Sequence, residues 1–261
     1  MNLKRPSEID AMRAAAKINR AALEAVETRI APGVSTMELN DVAEAAILEG
    51  GGTPAFKGYR GFPATLCTSV GEVVVHGIPD DRPLQEGDIV SVDVGTFYRG
   101  YAADMARTYA IGTVSDEVQQ LLDVTERSLY AGIARARPGE RLGDVSAAIQ
   151  DVVESAGMWV IREFVGHGIG REFHEQPDVP NFGRAGTGPV MRPGLVLAIE
   201  PMVSLSRAAV VVADDGWTAS TETGVPAAHF EHTVAVTDDG PRILTQADSR
   251  SGVAQGGTHG A

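Results

Sequence analysis

Four carboxylates of this 261-residue chain stand in apolar, strand-like surroundings. Asp93 follows Ile89-Val90-Ser91-Val92, and Asp104 follows Tyr101-Ala102-Ala103. Glu200 ends the run Gly194-Leu195-Val196-Leu197-Ala198-Ile199, and Glu231 sits in the alternating strand Ala228-His229-Phe230-Glu231-His232-Thr233-Val234-Ala235-Val236. Short apolar runs of this kind read as buried strands. A carboxylate buried there must be paired, protonated or bound to a cation. One acid of this type is usually an ordinary solvent-facing strand residue; four together point to a bound divalent cation. Asp93 and Asp104 sharpen the case. Their strands flank Tyr98-Arg99-Gly100, a hairpin signal. A turn centred between Tyr98 and Arg99 would set the two acids directly opposite each other on one face. Facing like charges destabilise a strand pair, and burying them unpaired costs several kcal/mol per ion. A cation between them removes the penalty; a turn in another register with both acids exposed is the bland alternative.

Three histidines lie in segments that suit the same centre. His167 is framed by glycines in Gly166-His167-Gly168-Ile169-Gly170, where the backbone can approach a neighbour closely. His174 stands in Phe173-His174-Glu175-Gln176-Pro177, which is not the HExxH zinc helix because the second histidine is missing and Pro177 would break a helix. His76 falls between a strand and a turn in Val75-His76-Gly77-Ile78-Pro79. A lone histidine in such places is usually structural; three beside four strand acids favour a site. His229 is two residues before Glu231, so a continuous strand would put both on one face, with His229 tuning a metal from behind.

The elements that would carry these residues follow from periodicity. Ser7 to Ala31 reads as a helix capped by Ser7, with Ile9, Met12, Ala16, Ile18 and Leu23 as its apolar stripe. A second helix spans about Met37 to Glu49, strands are expected at Glu72 to Val75 and Ile89 to Phe97, and another helix covers about Ser115 to Ala136. The pattern then recurs. Pro32-Gly33 and Pro138-Gly139 each introduce an amphipathic helix, and a shift of 106 aligns Leu39 with Val145, Ala43 with Ile149 and Ile47 with Val153. At a shift of 107, Glu86-Gly87-Asp88-Ile89-Val90-Ser91-Val92-Asp93 aligns with Pro193-Gly194-Leu195-Val196-Leu197-Ala198-Ile199-Glu200. Two matches in order at nearly one offset indicate a duplicated unit. Asp93 and Glu200 then occupy equivalent places, one per half, and a pseudo-two-fold arrangement would aim both into a central cleft.

Bulk properties narrow the class. There are 35 acidic and 22 basic residues, for a formal net charge of −13. No basic cluster is present to displace counterions from a nucleic acid. No apolar run approaches the roughly 20 residues that span a bilayer, and residues 1–20 lack the layout of a signal peptide. The single cysteine, Cys67, excludes an intrachain disulfide and fits a reducing, cytoplasmic compartment.

Gly166-His167-Gly168-Ile169-Gly170, Phe173-His174-Glu175-Gln176-Pro177, Ile199-Glu200-Pro201-Met202, Phe230-Glu231-His232-Thr233 and His76-Gly77-Ile78-Pro79, ordered around Asp93 and Asp104, closely resemble a type I methionine aminopeptidase across residues 3–246. The resemblance implies an α/β (α+β) pita-bread fold, which agrees with the repeat: one catalytic domain over 1–245 with halves of about 1–114 and 115–245, while the Gly-, Ser- and polar-rich stretch 246–261 reads as a disordered tail. It implies Asp93, Asp104, His167, Glu200 and Glu231 as metal ligands, with Asp104 and Glu231 bridging two ions. An oxygen-rich set with one imidazole suits one or two divalent ions of Co, Mn, Fe or Zn. The implied reaction is hydrolysis of the first peptide bond by a metal-activated water, with Glu200 shuttling its proton and His76 and His174 bonding the scissile amide and the developing oxyanion. Tyr59, Phe62, Cys67, Phe173 and Trp217 fall where the family lines its methionine pocket. The implied substrate is a peptide or nascent-chain N-terminus with a small second residue, met by a monomer with transient ribosome contact.

In one departure, Ala102-Ala103 precedes Asp104 where many relatives have His-Gly, which puts that strand's packing in question. Two other readings compete. A prolidase or Xaa-Pro aminopeptidase would share the ligands, but those relatives usually carry a large extra N-terminal domain. A non-catalytic pita-bread binding protein would tend to have lost ligands, and all five are present.

Overall fold

The computed structural model describes residues 1–247, in which Gln246 and Ala247 are exposed. The rest of the expected tail, 248–261, lies outside the described residues. The first half runs α1 (Pro6–Glu27), α2 (Thr36–Glu49), β1 (Thr53–Pro54), β2 (Leu66–Val70), β3 (Val73–Val75), β4 (Ile89–Tyr98) and β5 (Tyr101–Ala110). The second begins with α3 (Asp116–Ala134), α4 (Leu142–Ser155), β6 (Trp159–Val160), β7 (Gly166–Gly168), β8 (Glu175–Val179) and β9 (Val196–Ile199). It ends with β10 (Met202–Ser204), β11 (Val210–Val212), β12 (Ala219–Thr221), β13 (Ala227–His229), β14 (His232–Thr237) and β15 (Gly240–Ile243). Among the described residues no helix is long and apolar enough to cross a membrane.

The offsets expected from the sequence reappear in the elements. α2 and α4 are both 14 residues long and start 106 positions apart, at Thr36 and Leu142. Leu39, Ala43 and Ile47 on one, and Val145, Ile149 and Val153 on the other, are fully buried. β4 and β9 start 107 apart, at Ile89 and Val196. The two helix pairs, α1 with α2 and α3 with α4, each pack within their own half.

α1 begins earlier than expected. Its N-cap is Arg5, whose backbone N–H donates to Glu8, and Pro6 takes the first helical position, where its missing N–H costs nothing. Ser7 therefore lies inside the first turn. Ile9, Met12, Ala16 and Leu23 are buried as the stripe required, while Ile18 is only partly covered.

β4 is the centre of a four-stranded sheet, flanked on one side by β5 and on the other by β1 and β2. The second half holds the five-stranded order β15-β14-β9-β7-β8. Two smaller sheets, β13-β10-β6 and β11-β12-β3, close the ends. The main sheets are stitched together beside the site. Glu231 N–H donates to the Ala106 carbonyl at 2.9 Å, and the Thr233 hydroxyl accepts from Asp104 N–H at 2.9 Å while donating to the Asp104 carbonyl at 2.8 Å. Ala102 and Ala103 are both fully buried in one apolar cluster with Ile9, Met12 and Ala16 of α1, so this strand packs closely without the His-Gly pair.

Candidate metal centre

The hairpin register differs from expectation by one step on each strand. Tyr98 pairs with Tyr101, leaving Arg99-Gly100 as a two-residue turn with φ of 50° and 80°. Positive φ at both turn positions is the type I′ pattern that matches strand twist. Asp93 therefore faces Ala106, and Asp104 faces Gly95. The two acids are diagonal neighbours on one face, not direct partners. They still converge, because a shift of both strands together keeps side-chain parity.

Gly95, between them, makes room for the floor of the adjoining pocket. A Cβ there would lie 2.7 Å from the Phe173 ring and 2.8 Å from Phe56. Glu200 stands just past the end of β9, held by Asn181, whose side-chain amide donates to the Glu200 carbonyl at 3.0 Å. The strand expected through Ala228 to Val236 is broken at Phe230-Glu231: β13 pairs with β10, and β14 with β9. His229 and Glu231 thus belong to no common strand face. They meet even so, with His229 Nε2 3.9 Å from Glu231 Oε2.

His167 projects from β7. Its Nδ1 donates to the Gly168 carbonyl at 2.8 Å, which fixes the tautomer and turns Nε2 inward. Nε2 lies 3.6 Å from Glu200 Oε1 and 3.8 Å from Asp104 Oδ2. One donor atom each from Asp104, His167 and Glu231 falls within 4.8 Å of the others, and the same holds for Glu200, His229 and Glu231. Glu231 belongs to both groups. Asp93 joins neither, and flanks Asp104 instead.

The charges are unbalanced. Burial first, then Asp104 and Glu200, pushes the Asp93 carboxyl well above the usual carboxylate range. Burial also raises Asp104, and burial followed by Asp104 raises Glu231 strongly. Burial alone would lower His167, but Asp104 and Glu200 outweigh it and the imidazole is raised. Asp93 Oδ1, Glu231 Oε1 and His229 Nε2 are shielded from solvent without a hydrogen-bond partner. Orphaned buried oxygens amid like charges are costly unless a cation occupies the space between them. A divalent ion fits this donor set.

The acids close one end of a cavity of about 160 Å³. Tyr59, Phe62, Cys67, Phe173 and Trp217 form its apolar part, and His76 and His174 stand at its sides. The expected metal ligands, His76, His174 and the pocket residues all line this one space, and His229 lies outside its lining. Rings interlock around it: Phe56 to Phe173 at 5.3 Å, Phe62 to Trp217 at 5.1 Å, and Tyr59 stacked on His174 at 5.4 Å. Burial, followed by the charge of Asp93, raises the Cys67 thiol well above its ordinary value, so the sulfur is a neutral apolar contact.

His76 has a φ of 61°, a left-handed backbone that is rare outside glycine and concentrates at functional sites. Burial lowers its pKa. His174 is exposed to solvent, yet it is pushed down to about 4, by desolvation first and His167 second. The Tyr59 hydroxyl lies 2.8 Å from His174 Nδ1. A neutral His174 that accepts there presents Nε2–H as a donor. Phe56, Arg60 and Thr233 escaped the sequence reading. Thr233 lies in a quoted motif with no charge to signal a role, and Phe56 and Arg60 sit in a turn whose path the sequence does not give.

Against known proteins, the sequence matches the profile of metallopeptidase family M24 over residues 10–238. It is 49% identical over 243 residues to a methionine aminopeptidase of Clostridium perfringens, covering 93% of this chain and 98% of the relative. The fold superposes on a crystal structure of methionine aminopeptidase from Thermotoga maritima with a TM-score of 0.93 at 47% identity, over 95% of this chain and all of that one. A prolidase from Pyrococcus furiosus shares the fold alone, with a TM-score of 0.78 at 22% identity; 95% of this chain is covered but only 66% of the prolidase. The architecture is the pita-bread fold of these neighbours.

Proposed function

The chain belongs to metallopeptidase family M24, and from that premise we propose that it is a methionine aminopeptidase, removing the N-terminal methionine of peptides and nascent proteins. The carrying observation is that an apolar cavity ends on Asp93, Asp104, His167, Glu200 and Glu231, with His76 and His174 at its sides. These five residues would hold one or two divalent ions of Co, Mn, Fe or Zn, Glu231 being common to both donor groups. Such ions supply a water nucleophile at neutral pH and polarise the carbonyl.

The chain's own groups do the rest. Glu200, beside His167 and His229, takes the proton of the attacking water and passes it to the leaving amine. His76 and His174 hold the scissile amide and the growing negative charge on its oxygen, a hydrogen bond that strengthens in the transition state. The aromatic wall and Cys67 receive the methionine thioether. The free N-terminal amine of the substrate, held beside the carboxylates, would enforce exopeptidase action, and crowding beside the cleft would favour a small second residue. A monomer acting in the cytoplasm, with transient ribosome contact, fits this role.

The test is methionine release from Met-Ala-Ser by the metal-free protein supplied with Mn, Fe(II), Co or Zn, beside Ala-Pro peptides and an Asp104→Ala variant. Metal-dependent release absent from the variant is expected. Cleavage of the Xaa-Pro peptide alone would reassign the chain to the prolidase activity, and metal binding without turnover would make it a binding protein.

A further inference from the structure

Arg60 is a cation at the mouth of a cavity otherwise lined by acids, histidines and apolar groups. It is exposed, and no carboxylate among the described residues pairs with it; its guanidinium lies 5.4 Å from the centre of the Tyr59 ring. Unpaired surface arginines are common, but this one is held in an unusual way. Its φ is 48°, a left-handed conformation, between Gly58 at 86° and Gly61 at 91°. The turn is tied by Tyr59 N–H to the Phe56 carbonyl at 2.8 Å, Gly58 N–H to Phe62 at 2.8 Å and Phe62 N–H to Tyr59 at 2.9 Å. A non-glycine residue kept in this region by its surroundings marks a constrained position. The same turn delivers Tyr59 to His174.

Distance fixes what the guanidinium would meet. From Arg60 to the Tyr59 ring, and from that ring to His174, are two steps of 5.4 Å each. Two or three extended residues, at about 3.3–3.6 Å apiece, cover that reach. A substrate with its first side chain in the apolar end must leave through the mouth, so its third or fourth residue passes Arg60.

We infer that Arg60 is a specificity-determining residue for the substrate chain downstream of the cleaved bond, favouring an acidic side chain at the third or fourth position. This rests on the aminopeptidase reading above. In a protein of net charge −13, a fixed cation at the mouth also offsets the field that would otherwise repel acidic peptides.

The experiment compares kcat/KM for Met-Ala-Xaa-Xaa-Ser peptides with Asp, Asn or Lys at the third and fourth positions, at low and high salt, in the wild type and in Arg60→Gln, Arg60→Lys and Arg60→Glu. The Asn peptide is the reference within each variant. Wild type should favour Asp over Asn by about two- to fivefold at low salt, as expected of an exposed ion pair, mainly through KM. That ratio should fall to one in Arg60→Gln, persist in Arg60→Lys and reverse toward Lys in Arg60→Glu. Equal Asp-to-Asn ratios in wild type and Arg60→Gln would overturn the role of Arg60 while leaving the activity in place. Absence of methionine release from every peptide would instead overturn the aminopeptidase reading on which it rests.

Discussion

His229 Nε2 lies 3.5 Å from Glu200 Oε2, fully shielded and without a hydrogen-bond partner. The imidazole stands behind the acids and contacts two of them, Glu200 and Glu231. Its backbone is locked by Thr108, whose hydroxyl accepts from His229 N–H at 2.9 Å and donates to the His229 carbonyl at 2.8 Å. A side chain fixed this firmly beside two donors orients them. His229→Ala should weaken divalent-metal affinity by about 10–100-fold, the usual effect of losing such a partner, read by calorimetric titration of the metal-free protein. Unchanged affinity together with an unchanged pH profile would remove His229 from the centre.

Thr233 ties Asp104 to the other half through two backbone hydrogen bonds. Thr233→Val keeps the shape but leaves a buried N–H and a buried carbonyl unsatisfied. Each costs about 1–3 kcal/mol, so a loss of about 2–6 kcal/mol is expected in denaturant unfolding, accompanied by weaker metal binding as Asp104 shifts. A variant as stable as wild type would mean that Asp104 is held by other contacts.

The centre was legible in the sequence because its acids break the apolar rule of their strands, and because a duplication leaves two aligned signals. Asp93 and Glu200 could be paired by offset alone. What the sequence could not give was closure. The choice between turns centred before or after Arg99 depends on whether a non-glycine residue accepts a φ of 50°, and no local pattern announces that. The break at Phe230-Glu231 has a similar cause: period-two alternation continues through it, yet β13 and β14 join different sheets, a choice made by partners distant in the chain. The Ser7 cap failed because Pro6 could start the helix one residue sooner.

Tyr59 offers a sharper test of His174. Tyr59→Phe keeps the ring against Phe173, 6.0 Å away, and removes only the hydroxyl that contacts His174 Nδ1 at 2.8 Å. A net hydrogen bond is worth about 0.5–1.5 kcal/mol, so kcat for Met-Ala-Ser should fall about two- to tenfold with KM nearly constant. A rise in KM at constant kcat would instead make the hydroxyl a binding contact.

Removing the metal should make stability depend on pH in a defined direction. In the metal-free chain, burial raises Asp93, Asp104 and Glu231 above their ordinary values, reinforced by neighbouring carboxylates at Asp93 and Glu231. A folded-state pKa above the unfolded one means that the folded protein holds the extra protons. The stability these groups contribute is complete below the ordinary carboxylate range and is lost as pH rises through the folded values. A bound divalent ion replaces those protons, so the loaded protein escapes the loss, while at low pH protons compete with the ion. The difference in Tm between loaded and chelator-treated protein should therefore widen from pH 5 to pH 8. With free metal at 100 times Kd, binding adds about 2.7 kcal/mol, which for a protein of this size corresponds to about 5–10 °C. A gap that stays constant or narrows with rising pH, measured by scanning calorimetry, would show that the buried acids are not the groups that exchange protons for metal.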